Sequence, residues 1–105
     1  MYRLTASYAH GADDAADQAI VSHYRDTHAP LAAKLPDLRA FTWGACETPD
    51  GSRPAHAIVA VLDWDSREQA TAALSSEAGK AAVADLDNFA QAGVALEFYD
   101  VETAL

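Results

Sequence analysis

Along this chain of 105 residues, segments with the apolar–polar alternation of β-strands are interspersed with segments whose apolar residues recur at helical spacing. The order of these segments restricts the folds that the chain can adopt. Residues 1–9 alternate apolar and polar side chains, which is the pattern of a half-buried β-strand. From Asp13 or Asp14, either of which can cap a helix, apolar residues recur at helical spacing as far as Leu35, and Pro36 ends that pattern. The chain therefore begins with a predicted strand and a predicted helix.

Two further strands are predicted in the middle of the chain. Residues 38–47 and 55–64 are rich in aromatic and β-branched side chains, which favour strands. The segment between them contains two prolines around an Asp-Gly pair, so it predicts a turn or short loop.

A second helix and a last strand follow. Ser66, with Gln69 three residues later, has the spacing of a capping box, so the helix begins there and runs to about Ala92. A break in it is expected near Ser75–Ser76 or Gly79. Residues 93–102 alternate again and predict the closing strand.

The predicted order βαββαβ is that of the ferredoxin-like arrangement. We therefore expect one α+β domain over residues 1–105, with a four-stranded antiparallel sheet and both helices on one face. The other face would expose apolar side chains to water. A two-fold partner that packs its own sheet there would cover them, so a homodimer through the sheet faces is expected.

Charge and hydropathy exclude several classes of partner. The chain has sixteen acidic and seven basic residues, which gives a net charge of −9, and the basic residues are scattered along the sequence. This argues against nucleic acid and against an anionic membrane surface as partners. No run approaches the roughly 20 apolar residues of a membrane span, and no apolar leader is present, so a cytoplasmic protein is expected. Cys46 is the single cysteine, and we interpret it as structural.

The first predicted helix contains a local conflict at His28 and Pro30. At roughly 100° per residue, His28 falls in the middle of the apolar stripe, while His23 falls on the opposite, solvated side. Pro30 cannot donate a hydrogen bond to the carbonyl of Asp26, so the helix should kink or loosen one turn from the imidazole. A buried titratable ring beside broken helix hydrogen bonds is a poor source of stability and indicates a site.

His28 has three interpretations. It can be a general acid or base, because imidazole exchanges protons near neutral pH. It can line a binding pocket without chemistry. It can also be a core histidine bonded to a carbonyl, in which case the segment only shapes the helix. Burial would lower the pKa of His28 and a carboxylate neighbour would raise it, so the sequence leaves its protonation state open.

The segment around His28 resembles a known family. Tyr24, then THAPL at 27–31 and KLP at 34–36, is similar to the Y-x-x-x-H-x-P-L…L-P pattern of the EthD family. Phe89 and the aspartates of DLDNFAQAGV are similar to the D-x-x-x-F stretch before that family's last strand. The likeness extends over nearly the whole chain.

The resemblance implies a dimeric α+β barrel, in which two ferredoxin-like subunits join through their sheets. It also implies an apolar pocket between sheet and helices. Similar proteins act as dehydratases or decarboxylases on aromatic polyketides, and the wider superfamily includes cofactor-free cyclases, monooxygenases and lactone isomerases. The expected function is therefore a small-molecule enzyme with His28 as general acid or base on a hydrophobic, aromatic or polyketide-like substrate. The alternative is a non-catalytic ligand-binding or accessory protein.

Four other residues are predicted to bind the substrate: Tyr8, Tyr24, Leu31 and Trp43. Tyr24 and Leu31 lie about one turn on either side of His28, whereas Tyr8 and Trp43 lie near strand ends where a pocket can open. Core packing is the competing explanation for each aromatic residue. Trp64 is a weaker candidate.

No cofactor and no metal site are expected. The four histidines show no close ligand spacing, and no phosphate-binding loop or dinucleotide fingerprint is present. The superfamily also contains heme-binding members, so the sequence leaves open that His28 is a proximal heme ligand.

Overall fold

The computed structural model describes residues 1–105 and contains a four-stranded antiparallel sheet. The strands lie in the order β2-β3-β1-β4, with all three neighbouring pairs antiparallel. Their bounds fall inside the predicted ones and are β1 Tyr2–Tyr8, β2 Ala40–Ala45, β3 Ile58–Trp64 and β4 Val94–Asp100. The α+β, ferredoxin-like prediction is confirmed.

Helices form at both predicted places. The first helical region comprises α1, a π-helical turn and α2, and the second comprises α3 and α4; the bounds are Asp14–His23, Tyr24–His28, Ala29–Ala32, Arg67–Ser75 and Glu77–Phe89. Asp13 caps α1, because its side chain accepts a hydrogen bond from the amide of Ala16. None of these helices is both long and apolar enough to cross a membrane.

The loosening predicted at Pro30 is a single π-helical turn. The amide of Ala29 donates to the carbonyl of Tyr24, five residues back instead of four. Pro30 lies in the first turn of α2, where a missing amide hydrogen matters least. The helical path ends at Ala32, three residues before the predicted end at Leu35.

The second helical region is broken at Ser76, within the predicted range. The Ser76 hydroxyl donates to the carbonyl of Ala73 and accepts from the amide of Gly79, so it ends α3 and caps α4. At the start of α3, Ser66 accepts from the amide of Gln69 at 3.2 Å. The reciprocal bond of a capping box is missing, since the buried Gln69 Oε1 has no partner.

One face of the sheet forms the core against the helices. Its buried side chains alternate along β1 and β3 and are Tyr2, Leu4, Ala6, Tyr8, Ile58, Ala60, Leu62 and Trp64. Trp64, predicted as a weak site candidate, is instead a core residue whose indole donates to the carbonyl of Pro36. On β4 the same face is less covered, with Leu96 50% and Phe98 40% exposed.

The opposite face of the sheet has no helix over it. Val61 lies at its centre, between Thr5 of β1 and Thr42 of β2. Arg3 and Asp63 form a bidentate ion pair on the same face, at 2.7 and 2.9 Å. The face is therefore mixed in polarity, with apolar and paired charged side chains side by side.

Replacing Gly79 with alanine should destabilise the fold by about 2 kcal/mol, which is typical of overpacking. A Cβ at this position would lie 2.3 Å from the Leu74 carbonyl oxygen and 2.5 Å from that of Ala73, and backbone cannot move away cheaply. The measurement is the urea midpoint, with Lys80→Ala at the next position of α4 as the control. The Lys80 side chain is 69% exposed and pairs only with the exposed Glu77, so that variant should be nearly neutral. Equal midpoints for both variants would contradict the prediction.

Candidate functional site

The site is centred on His28, at the end of the π turn. The side chain is 6% exposed, and its Nδ1 lies 2.9 Å from Oδ2 of Asp85 on α4. Because a carboxylate only accepts hydrogen bonds, this contact places the ring proton on Nδ1. The Nε2 lone pair then faces the hydroxyl of Tyr8, 3.4 Å away. His28 is thus oriented by a carboxylate on one side and offers a basic nitrogen on the other.

Asp85 accepts hydrogen bonds from three side chains. Besides His28, the Nε2 of His23 lies 3.0 Å from both carboxylate oxygens, and Nδ2 of Asn88 donates to Oδ1 at 3.0 Å. Burial disfavours the charged form of Asp85, but the hydrogen bonds from Asn88, His28 and His23 together hold its pKa below the ordinary value. The site therefore contains a buried carboxylate that stays ionised.

The prediction that His23 is solvated on the far side of the helix was wrong. Its ring bonds to Asp85 and stacks on Phe89, with centroids 4.9 Å apart and planes at 21°. The prediction assumed a regular helix, in which residues five apart point to different sides. In a π turn, hydrogen bonds join residues five apart, so His23 and His28 come to the same side.

Aromatic rings surround His28 on its remaining sides. The centroids of Tyr24 and Phe89 lie 5.1 and 4.8 Å from the His28 ring, and Tyr8 packs edge-on at 6.2 Å. Burial raises the pKa of Tyr8 to about 12, and burial also raises the pKa of Tyr24. Both phenols are therefore neutral at physiological pH and available as hydrogen-bond donors.

An apolar cavity of about 60 Å³ opens beside these polar groups. Tyr8, Tyr24 and His28 line it, and 12 of the 14 lining residues are hydrophobic. Val83 and Leu96 also line it and are 52% and 50% exposed, so the cavity reaches solvent between α4 and β4. Drug-sized ligands occupy roughly 300–1,000 Å³, so a ligand of more than one small ring must displace lining side chains.

Three of the predicted site residues meet in this cavity: Tyr8, Tyr24 and His28. Trp43 packs against Tyr24 with ring centroids 4.8 Å apart, and the Arg25 guanidinium lies over the Trp43 ring, 5.4 Å from its centroid. Neither Trp43 nor Leu31 lines the cavity. Trp43 therefore supports Tyr24 from outside, and the substrate-binding role predicted for it and for Leu31 stays a prediction.

Sequence reasoning assigned no role to Asp85 or Asn88. A signal was present in the segment DLDNF, because residues three and four apart share one face of a helix. Asp85, Asn88 and Phe89 have that spacing. Asn88 donates to the Asp85 carboxylate, and Phe89 packs against the rings of both histidines. The aspartate that orients His28 was thus part of the quoted pattern but had no predicted partner.

The arrangement favours a neutral His28 whose Nε2 can accept a proton. Burial lowers the pKa of His28, and the charge of Asp85 offsets part of this effect. A neutral imidazole held by a carboxylate can take a proton at Nε2 and later return it. Two neutral phenols nearby can donate to an oxygen on which negative charge develops.

The same geometry bears on heme and metal ligation. A porphyrin is far larger than the cavity of about 60 Å³ that His28 lines, and the other ring nitrogen of His28, Nδ1, is bonded to Asp85. No group of three or more His, Cys, Asp or Glu side chains is arranged to hold a metal ion. The residues present do not fit a heme site.

Comparison with known proteins identifies close relatives. The family model for the EthD domain matches residues 12–93. An uncharacterised 11.0 kDa protein from the thcB-thcC intergenic region of Rhodococcus erythropolis is 40% identical over all of this chain and 99% of its own length. The crystal structure of an EthD family protein from Bacillus halodurans is 29% identical, with a TM-score of 0.86 over 97% of this chain and 99% of that one.

More distant solved structures share the fold alone. A dimeric protein with a ferredoxin-like fold from Bacteroides fragilis is 14% identical, with a TM-score of 0.71 over 95% of each chain. SnoaB, a cofactor-independent oxygenase from Streptomyces nogalater, is 15% identical, with a TM-score of 0.62 over 99% of this chain and 94% of that one. The fold thus occurs in dimeric proteins and in at least one oxygenase.

Stability should fall on mild acidification because of His28. Its pKa in the folded protein lies below the ordinary value of 6.5, so the unfolded chain binds this proton first as the pH drops. The free energy of unfolding therefore decreases below about pH 6.5. The stabilisation that the ionised Asp85 provides is lost only at lower pH, below 3.8, the ordinary pKa of an aspartate. Urea midpoints at pH 8 and pH 5 measure the effect. His28→Gln should lose less stability between these two values than the native chain, and an equal loss would contradict the assignment.

Proposed function

This chain belongs to the EthD family, and we propose that it is a small-molecule enzyme with His28 as general acid and base. The substrate is hydrophobic and of aromatic or polyketide-like chemistry. The observation that carries this proposal is the Asp85–His28 pair, which ends at a basic nitrogen beside an apolar cavity.

The chemistry follows from the positions of two groups, the imidazole of His28 and the phenol of Tyr8. Nε2 of His28 takes a proton from an acidic C–H or O–H group of the bound molecule. The phenol of Tyr8 lies 3.4 Å from that nitrogen and donates to the substrate oxygen on which charge develops. The protonated His28 then returns the proton to a leaving hydroxyl or to a ring carbon, which corresponds to dehydration or to cyclisation and isomerisation.

The apolar lining supports a substrate that is itself largely apolar. The rings of Tyr8, Tyr24 and His28 form part of the lining, and ring faces and edges pack favourably against a ring-shaped molecule. The shared fold of SnoaB makes oxygenation a further reaction that such a cavity can host, with His28 deprotonating the substrate before oxygen reacts. We further propose that residues 1–105 form a single domain.

We also propose that two copies join through the sheet faces that carry no helix. Val61 and its neighbours on β1 and β2 lie at the centre of that face. Structural neighbours described as dimeric support this arrangement. The result would be a dimeric α+β barrel with one His28 cavity in each subunit.

Ligand binding without chemistry is the second candidate function. The small cavity volume favours it, since about 60 Å³ leaves little room for a substrate to change shape during a reaction. In that case the protein would hold or carry a hydrophobic metabolite for another enzyme.

Replacing His28 with alanine should lower turnover by about 10²–10⁴-fold, the usual contribution of one general acid–base group. Substrates are first found by thermal shift against hydroxylated aromatics, quinones and lactones. A compound present at 100 times its Kd stabilises by about 2.7 kcal/mol, and each 1 kcal/mol raises Tm by about 4–8 °C in a chain of this size. Compounds that shift Tm are then incubated with the protein, and products are measured by mass spectrometry.

His56→Ala is the matched control, since His56 does not line the cavity. It should turn over like the native chain. Binding without product in the native chain would favour the second candidate function. Equal turnover by His28→Ala and the native chain would overturn the first.

A lysine at Val61 should separate the proposed dimer. The substitution buries an unpaired charge at the centre of the interface, which costs several kcal/mol. Light scattering after size exclusion should give twice the chain mass of 11.1 kDa for the native protein and the single mass for Val61→Lys. Ala84→Lys on the exposed side of α4 is the control and should remain dimeric. A native mass of 11.1 kDa would contradict the dimer.

A further inference from the structure

We infer that His23 is the residue through which the site exchanges protons with solvent, acting on His28 across the shared carboxylate of Asp85. The inference rests on the proposed function, because it concerns how the base is reset. It makes His23 a positioning residue, not one that touches substrate.

The geometry places both imidazoles on one carboxylate oxygen. Oδ2 of Asp85 lies 2.9 Å from Nδ1 of His28 and 3.0 Å from Nε2 of His23. The two rings differ in access to water, with side-chain exposures of 6% for His28 and 27% for His23. Asp85 therefore connects a buried ring to a ring at the surface.

The two rings also open into different spaces. His28 lines the inner apolar cavity, whereas His23 lines an outer groove of about 500 Å³ between α1 and the end of α4. Asn88 and Phe89 line the same outer groove. The stacking of His23 on Phe89 keeps its Nε2 directed at the carboxylate, and the side chain remains 27% exposed.

Charge balance couples the two rings. One buried carboxylate can neutralise one imidazolium, and a second positive charge there would be uncompensated at high cost. The groups packed against His28 are Tyr8 from β1, Tyr24 from the π turn, Asp85 from α4 and His23 from α1. Both tyrosines are neutral, so the carboxylate of Asp85 and the competing imidazole of His23 decide whether His28 carries a proton.

The resulting exchange conserves protons and charge. Water can solvate a positive charge better on the more exposed ring, so the exchange starts with the charge on His23 and with His28 neutral. When a substrate proton bonds to Nε2 of His28, the Nδ1 proton of His23 leaves to water in the outer groove. His23 keeps its Nε2–H bond to Asp85 throughout. One proton has moved from the cavity to solvent, and the total charge of the three side chains is unchanged; the reverse sequence returns it.

Ring resonances of His28, followed by NMR titration of isotope-labelled protein, test this coupling without any substrate. His23→Gln keeps a donor for Asp85 but removes the charge, so the His28 midpoint should rise by about one pH unit, a tenfold gain in proton affinity. His23→Lys keeps a permanent charge, so the midpoint should stay at the native value or fall. A structural role alone would move both variants alike.

His56→Gln controls for the loss of a distant imidazole and should leave His28 unchanged. Linkage requires the reciprocal effect, so His28→Gln should raise the His23 midpoint by about the same amount, which remains measurable if a His23 variant fails to fold. Unmoved midpoints, or equal shifts with Gln and Lys, would overturn the inference. The proposed function would survive that result, because it depends on the separate turnover test of His28→Ala.

Discussion

The buried carboxylate of Asp85 is the interaction on which the arrangement of this site depends. It joins α4 to the first helical region through two imidazoles, at 2.9 and 3.0 Å. Without it, His28 would lie in an apolar environment with no group to select its tautomer. With it, Nδ1 of His28 is bonded to Asp85, and Nε2 is left as a proton acceptor that faces the hydroxyl of Tyr8.

The π turn makes this interaction possible. Pro30 removes one amide donor, and the helix accommodates the loss by bonding five residues back at Ala29. The π turn has a poorer hydrogen-bond pattern than an α-helix, but it brings His23 and His28 to the same side. A regular helix of the same sequence would not do so. π turns occur often at functional sites for this reason.

The sequence predicted the fold well because the fold depends on local patterns. Period-two alternation, the caps at Asp13, Ser66 and Ser76, and the turn between the middle strands each act over a few residues. His28 was also predictable, since a polar ring on an apolar stripe beside a proline is a visible conflict. Tyr24 could be proposed because it lies one helical turn from His28, and Tyr8 because it lies near the end of a strand where a pocket can open.

The rest of the site depends on geometry that no local pattern contains. The predicted position of His23 assumed a rotation of about 100° per residue. This assumption fails in the π turn, where an amide bonds to the carbonyl five residues back instead of four. Asp85 lies 57 residues from its partner His28, so pairing them requires the packing of α4 against the first helical region. The volume of the cavity depends on how closely backbones approach, as at Gly79.

The spacing of the two histidines has a consequence for how this segment can vary in length. On a regular helix, residues four apart share a face, whereas across the π turn residues five apart do so. A relative that lacks one residue between these positions could therefore build the same carboxylate-bridged pair on an uninterrupted helix, without a proline. The π turn is in this sense equivalent to a single inserted residue. Alignments that treat the two histidine spacings as unrelated would miss a shared arrangement of side chains.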